Sequence, residues 1–360
     1  MFYELPKGGA TNAVIDISKS LISNNNLVDL YSTVPFSKQD KKFFSRVYEY
    51  SISLREWNGR NWKRRIYRDI VESSRLYLHH KRIAKIIDKR GYDAVFVNAS
   101  QYIESPFILR FLKTKKIMYC HDPYDRLIYD PVNKIPSNIS FIKSTYEKVY
   151  RYIRKIVDYS NFQKANIIIA NSQYSASEIK KVYGRDSTVC YLGVDTKIFS
   201  PTKTTKKIDV LFIGSTSPLD GFETFLETVS YFPKGVTVRS ILAEQEWIES
   251  KFEMSKIYNA SKLVICLGVR EPLGLTPLEA MACKIPVVAV NEAGYKETVI
   301  DSKTGYLIKR DPRLIADKVL YLLNNKSVAT KMGKEGRAQA LNFWSLQKMG
   351  KTFTDTLRTL

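Results

Sequence analysis

Few of the residues that staple or metallate a small domain are present. The four cysteines, Cys120, Cys190, Cys266 and Cys283, lie apart in apolar runs. No Cys-x-x-Cys pair occurs, and His121 is the one histidine near a cysteine. This argues against a disulfide framework or a structural metal and predicts four small buried hydrophobes. No run of 18 or more apolar residues occurs, so no membrane-spanning helix is expected. Residues 1–14 lack the basic start and apolar core of a secretory leader, which predicts a cytoplasmic location. Acids are scarce, with 36 Asp and Glu against 57 Lys and Arg and a net charge of +21. The shortfall concentrates in residues 1–200, where 34 basic residues meet 19 acids; the remainder has 23 against 17. A basic face on one half implies an anionic partner: nucleic acid, a membrane surface or a phosphorylated substrate. Zinc-finger and RNP patterns are absent, which argues against nucleic acid.

What is present reads as two domains. A chain of 360 residues is too long for one ordinary core. An apolar fraction of 44% with 26% charged residues is globular in character. Short Val- and Ile-rich runs at 2–5, 27–31, 94–97, 116–120 and 165–170 alternate with helical patterns such as 13–21. A second series, 209–214, 262–267 and 286–290, follows the polar stretch 201–207. Such runs predict parallel sheets buried on both faces, in two α/β domains split near residue 200. Ligands in such folds sit beyond the carboxyl ends of strands. Gly8-Gly9 and the stretch 270–289 both fall there.

Residues 55–90 differ, with 12 Lys or Arg, 4 acids and interleaved aromatics such as Tyr67 and Tyr77. A similar piece spans 146–157. Basic, aromatic, amphipathic helices suit an anionic membrane surface, here through segments about 55–90 and 143–157. The plainer reading is a solvated basic face over an ordinary core stripe.

The stretch Arg270-Glu-Pro-Leu-Gly-Leu-Thr-Pro-Leu-Glu279 sets two carboxylates around a glycine-broken apolar loop. Thr276, Pro277 and Glu279 fit the N-cap, N1 and N3 positions of a capping box. Backbone N–H groups before that helix offer a phosphate site. Glu271 has no evident capping role and suits sugar hydroxyls, which donate hydrogen bonds to a carboxylate.

Glu271-x7-Glu279, followed by Ala280-Met281-Ala282 and Pro286-Val287-Val288, resembles the core motif of retaining glycosyltransferase family 4. Pro6-Lys7-Gly8-Gly9-Ala10 is similar to that family's first glycine-rich loop. The block 119–126 resembles the one carrying the N-domain histidine in mannosyltransferase-like members. Matches at 171–175, 192–199, 294–297, 305–307 and 343–344 follow in family order. The resemblance implies an α/β GT-B fold, two Rossmann-like domains whose parallel sheets face across a cleft. It implies an acceptor-binding domain at 1–198, a nucleotide-sugar-binding domain at 199–342, and a last helix, about 343–360, crossing back to the first.

By the same resemblance the donor, a nucleotide diphosphate sugar, lies mainly on the second domain. Glu279 accepts from the ribose hydroxyls, and Glu271 contacts the transferred sugar. The backbone of Leu273, Gly274, Leu275 and Thr276 holds the diphosphate and sugar, with Gly214 and Ser215 nearby. His121 reaches towards the sugar as the second catalytic residue, and Gly8 and Gly9 leave room for phosphates and acceptor. Anomeric configuration is retained, with no cofactor and no metal. No Asp-x-Asp pair occurs, so the usual carboxylate pair for a metal–diphosphate complex is missing.

Three positions depart from the pattern. Ser215 stands where family members commonly carry Arg, and Asp220 where they carry Lys. Each charge matters by roughly a few kcal/mol in a partly buried cleft. Lys7, Arg126 and Arg270 are the cations available as substitutes. Lys284 replaces the usual glycine at a helix end, at a cost of about 1 kcal/mol. The expectation is a membrane-peripheral transferase moving mannose or a similar hexose to a lipid-linked glycan at the inner face of a membrane. A sugar-nucleotide epimerase of the same fold, or a catalytically weak homologue kept as a binding subunit, are the alternatives.

Overall fold

The computed structural model describes residues 1–5, 8–54, 62–131, 133–246 and 248–358. The chain forms two compact units: Met1–Asn171 with Ser175–Val189, and Ser172–Tyr174 with Cys190–Leu360.

The first unit holds a seven-stranded sheet, β1 (Phe2–Glu4), β2 (Asp29–Ser32), β3 (Arg46–Glu49), β4 (Val95–Ser100), β5 (Lys116–Cys120), β6 (Ile167–Ala170) and β7 (Thr188–Val189). Its order is β3-β2-β1-β4-β5-β6-β7, with every pair parallel. β4 is buried at all six positions, as a strand covered on both faces must be. The order reverses between β1 and β4, and that switch point is where such sheets open a crevice. β3 was not legible, because this edge strand is half-exposed and Arg46 and Glu49 interrupt its apolar character. The two-residue β7 escaped for want of length.

The basic segment that begins near residue 62 is one continuous helical run. Trp62–Tyr67 is α-helical, Arg68–Glu72 forms a π turn, and Ser73–Asp88 resumes the α-helix. Residues 55–61, part of the expected amphipathic segment, lie outside the described residues. The second basic-aromatic segment is the 22-residue helix Phe141–Phe162. Among the described residues, no helix is long and apolar enough to cross a membrane.

The second unit holds a parallel five-stranded sheet, β8 (Ile208–Gly214), β9 (Val238–Leu242), β10 (Ser261–Cys266), β11 (Val287–Val290) and β12 (Gly305–Ile308). Its order β12-β11-β10-β8-β9 reverses between β8 and β10. The core is dominated by Val, Ile and Leu from these strands and by the buried helix face Leu278, Ala280, Met281 and Ala282. All four cysteines are free and buried, as expected. Burial is the main force pushing the Cys283 thiol up to about 12.

Lys284 ends the helix Leu275–Ala282 in left-handed geometry, φ 63°. The Ile285 N–H donates to Ala280 O and the Lys284 N–H to Met281 O, both at 2.9 Å. This is the bond pair of a Schellman cap, which favours glycine at the left-handed residue. Lysine is therefore tolerated here under strain. Replacing Lys284 by glycine trades that strain against a freer unfolded chain, for a net stabilisation of about 0.5–1 kcal/mol. A higher urea midpoint at unchanged m-value is the expected result.

Candidate active site

The expected donor residues of the second unit gather at its switch point. Gly214 ends β8 with Ser215 just after it, and residues 270–276 follow β10. These two loops meet closely. The Val269 N–H donates to Leu219 O at 2.6 Å. At Gly221, φ 74°, an added Cβ would lie 2.1 Å from Leu267 O, so no other residue fits. Arg310, just after β12, closes the arrangement, donating to Leu267 O (2.7 Å) and Gly268 O (3.0 Å) while Glu292 accepts from its Nε and Nη2. Neither residue was singled out from sequence; an Arg–Glu pair 18 apart carries no local signature.

The helix after this loop starts two residues earlier than the capping-box reading required. Gly274 is the N-cap, φ 86°, and the helix runs from Leu275 to Ala282. Thr276 is therefore inside the first turn and does not cap, and Glu279 is too far along to close a box. The competing local rule was the left-handed turn that Gly274 alone supplies. A Cβ at Gly274 would also strike the Tyr295 ring at 2.7 Å. Glu279 is instead oriented by Tyr258, whose hydroxyl donates to Oε2 at 2.8 Å. Burial, then the neighbouring Glu279 charge, pushes the Tyr258 phenol well above its ordinary range, so it stays a donor.

Glu271 has a structural contact that the sequence did not show. Its Oε1 accepts from the Gly274 N–H at 3.2 Å, and its carbonyl accepts from the Gly294 N–H at 2.9 Å. Ser172, which belongs with the second unit, donates from Oγ to Pro272 O at 2.5 Å. The carboxylate thus rests at the helix entrance, next to the buried Tyr295. Tyr295 is pushed well above its ordinary range by burial first and Glu271 second. The first-turn N–H groups from Leu275 onward have no intrahelical acceptor. They create a local positive end beside Glu271 and Glu279. Leu273 is buried, and Arg270 is half-buried in left-handed geometry, φ 52°.

Ser215 and Asp220 form their own hydrogen bond, Ser215 Oγ donating to Asp220 Oδ2. The Ser217 N–H donates to Ser215 Oγ at 3.2 Å. The two positions that lack the expected cations are thus tied to each other.

In the first unit, His121 follows β5 beside the switch point. Asn98 of β4 sets its state. Asn98 Nδ2 donates to Phe2 O at 2.8 Å, so its Oδ1 is the atom facing His121 Nε2 at 3.1 Å. The proton therefore sits on Nε2 and leaves Nδ1 with its lone pair. An asparagine in the apolar run Val95–Ser100 was the sequence signal for this role, and it was missed. Asn171 Nδ2 fixes the His121 carbonyl at 2.8 Å. Desolvation pushes the imidazole pKa down to about 4. Arg126 bonds Asp122 through Nε at 2.8 Å. Gly8, φ 172°, is extended, and a Cβ at Gly9 would meet nothing within 4 Å. Gly9 is not demanded by its own unit. Lys7 lies outside the described residues.

Residues 7–198 match the model described as Glycosyltransferase Family 4, and 237–339 match the one described as Glycosyl transferases group 1. The chain belongs to glycosyltransferase family 4. It is 26% identical over 320 residues to the trehalose synthase of Thermococcus litoralis, covering 80% of this chain and 75% of that one. It is 23% identical to the alpha-1,3/1,6-mannosyltransferase ALG2 of Dictyostelium discoideum, covering 99% and 96%. Among solved structures, Anabaena Alr3699/HepE in complex with UDP and glucose matches with a TM-score of 0.73 at 17% identity, covering 100% and 98%. The fold is GT-B and the protein is a glycosyltransferase.

The low His121 pKa makes a pH prediction. The folded state holds the ring neutral, while the unfolded ring takes a proton near its ordinary 6.5. The unfolded state thus binds more protons between pH 6.5 and about 4, and stability falls as pH drops through that window. His121→Gln removes this contribution. Its urea midpoint is expected to fall less steeply over that range than the parent's.

Proposed function

We propose that this glycosyltransferase moves a hexose, mannose or one similar, from a nucleotide diphosphate sugar to a lipid-linked glycan, with retention of anomeric configuration. The observation that carries the reading is the second unit's switch point. There two carboxylates, Glu271 and Glu279, are each held by a protein donor beside a helix N-terminus. The likeness to an ALG2 mannosyltransferase supports the choice of sugar.

In this reading Glu279 accepts from the ribose hydroxyls and Glu271 from the transferred sugar. Gly214, Ser215 and the backbone of Leu273, Gly274, Leu275 and Thr276 frame the sugar and diphosphate. Bond breaking leaves positive charge on the anomeric carbon and negative charge on the departing diphosphate. The helix N-terminus and Arg270 stabilise the latter, and the Glu271 carboxylate lies on the sugar's side of that charge. His121, neutral at pH 7, offers the Nδ1 lone pair to a sugar hydroxyl. Gly8 and Gly9 leave room for phosphates and acceptor, and Lys7 and Arg126 supply positive charge for an acceptor phosphate. The leaving group departs without a metal, a reading supported by the missing Asp-x-Asp pair. The basic helices hold the enzyme against the inner, anionic face of a membrane, with the chain remaining cytoplasmic.

Glu271→Gln keeps an acceptor for the Gly274 N–H but removes the charge. Turnover with the best donor of a nucleotide-sugar panel is expected to fall about 100-fold with the fold intact. Unchanged turnover sinks the assignment. Arg270→Ala is expected to raise the donor KM about tenfold; an unaltered KM means Arg270 does not replace the missing cations. Proton NMR of the first-formed product checks retention, and activity in excess EDTA checks metal independence. Sedimentation with phosphatidylglycerol vesicles at physiological salt checks the membrane contact.

A further inference from the structure

One buried side chain spans the loop that carries Glu271. The loop runs from Cys266, the end of β10, to Leu275, the start of the next helix. The segment Gly294-Tyr295 braces it along its length. In the middle of the loop the Gly294 N–H donates to Glu271 O at 2.9 Å. The two backbones are so close that a Cβ at Gly294 would sit 2.5 Å from Leu273 Cα. Near the start of the loop the Gly268 N–H donates to Tyr295 Oη at 3.3 Å. At its end one edge of the Tyr295 ring lies against Gly274, where a Cβ would be 2.7 Å from Cε1. The ring thus holds one end of the loop and the hydroxyl holds the other.

The hydroxyl end also reaches the carboxylate. A Cβ on Gly268 would lie 3.0 Å from Tyr295 Oη, 3.3 Å from Glu271 Oε2 and 3.5 Å from Glu271 Cβ. Both oxygens therefore crowd the same face of Gly268, and glycine leaves each where it is. Tyr295 is 5% exposed. Burial, then the Glu271 charge, keeps its phenol well above the ordinary range. The hydroxyl is uncharged at neutral pH and sits beside the carboxylate without repelling it. A side chain this buried acts on the chemistry through what it holds.

We propose that Tyr295 is a positioning residue for Glu271, its hydroxyl fixing where the carboxylate meets the transferred sugar. The proposal rests on the reading of Glu271 as the sugar-contacting carboxylate and adds what keeps it in place. Tyr295 itself touches no substrate. A misplaced contact to the reacting sugar lowers turnover more than it weakens the ground-state complex.

The test is a double-mutant cycle on the full chain, run with the donor that the nucleotide-sugar panel selects. Tyr295→Phe keeps the ring against Gly274 and removes the hydroxyl alone. Its kcat is expected to fall about tenfold with donor KM within about twofold, at unchanged circular dichroism. In the Glu271→Gln background the same substitution is expected to cost no further turnover, because the charge it positions is already gone. Gly268→Ala is also expected to lower kcat, and to do so less in the Tyr295→Phe background, where the added methyl group has more room. Parental kcat in Tyr295→Phe overturns the proposal. So does an equal further loss in the Glu271→Gln background, which makes Tyr295 part of the general packing only. So do losses from Gly268→Ala and Tyr295→Phe that simply multiply. Unchanged turnover in Glu271→Gln alone is a different failure: it removes the sugar-contacting reading of Glu271, and the positioning role falls with it.

Discussion

The closeness of Gly221 to the Leu267 carbonyl governs the second unit's site. Two strands that neighbour each other in the sheet, β8 and β10, leave it at the point where strand order reverses. Their loops must then share one small space. A Cβ at Gly221 would sit 2.1 Å from Leu267 O, so the backbones pack with nothing between them. The same carbonyl accepts from Arg310, itself held by Glu292. Once Leu267 and Gly268 are pinned this way, the chain has few residues in which to turn into the next helix. Gly274 makes that turn in a left-handed conformation against the Tyr295 ring, and Glu271 bonds across it. The carboxylates are therefore placed by backbone packing, which is more rigid than a side chain on a free loop.

Most of the architecture was legible because buried parallel strands are nearly pure apolar runs. The runs at 116–120 and 209–214 correspond to β5 and β8 within a residue, since their flanks are polar. β3 failed that test, because an edge strand needs only half its residues buried and can carry Arg46 and Glu49. The contacts around the expected site residues were not legible. Spacing showed Glu271 and Glu279; it could not show Tyr258, 21 residues away, or Asn98, 23 residues from His121. The capping-box pattern misled because it ignores backbone handedness. Gly274 permits a left-handed turn that moves the helix start ahead of Thr276.

The Ser215–Asp220 bond bears on how charge is handled. A serine donating to an aspartate uses locally the hydrogen-bonding capacity that a free carboxylate would turn toward solvent or ligand. The pair thus tempers the added negative charge without supplying the positive charge that arginine and lysine would bring. The positive end of the helix from Leu275 remains in the same unit, with Arg270 beside it. Arg270 sits in a left-handed conformation that costs an L-residue roughly 1–2 kcal/mol. Strain of this kind persists where surrounding structure over-determines it, and it concentrates at functional sites.

In the first unit, the helix Phe141–Phe162 shows which of its residues the fold needs. Its C-terminal end is fastened inward. Asp158 accepts from the Ser105 N–H (2.9 Å) and Tyr183 OH (2.7 Å), Asn161 Nδ2 donates to Ser105 O (2.7 Å), and Phe162 stacks on Tyr183 at 3.8 Å. Burial raises the Asp158 pKa while those two donors oppose the shift. In its second turn, Glu147 is buried against Arg65 and Arg151. These contacts anchor the helix without any help from Phe141, Ile142, Val149, Tyr152, Ile153 or Ile156, all of them exposed. Singly, exposed apolar residues need no explanation. Six on one helix form a contiguous apolar face of the sort that marks an interaction surface. Since stability does not require that face, its composition is free to answer to what it touches.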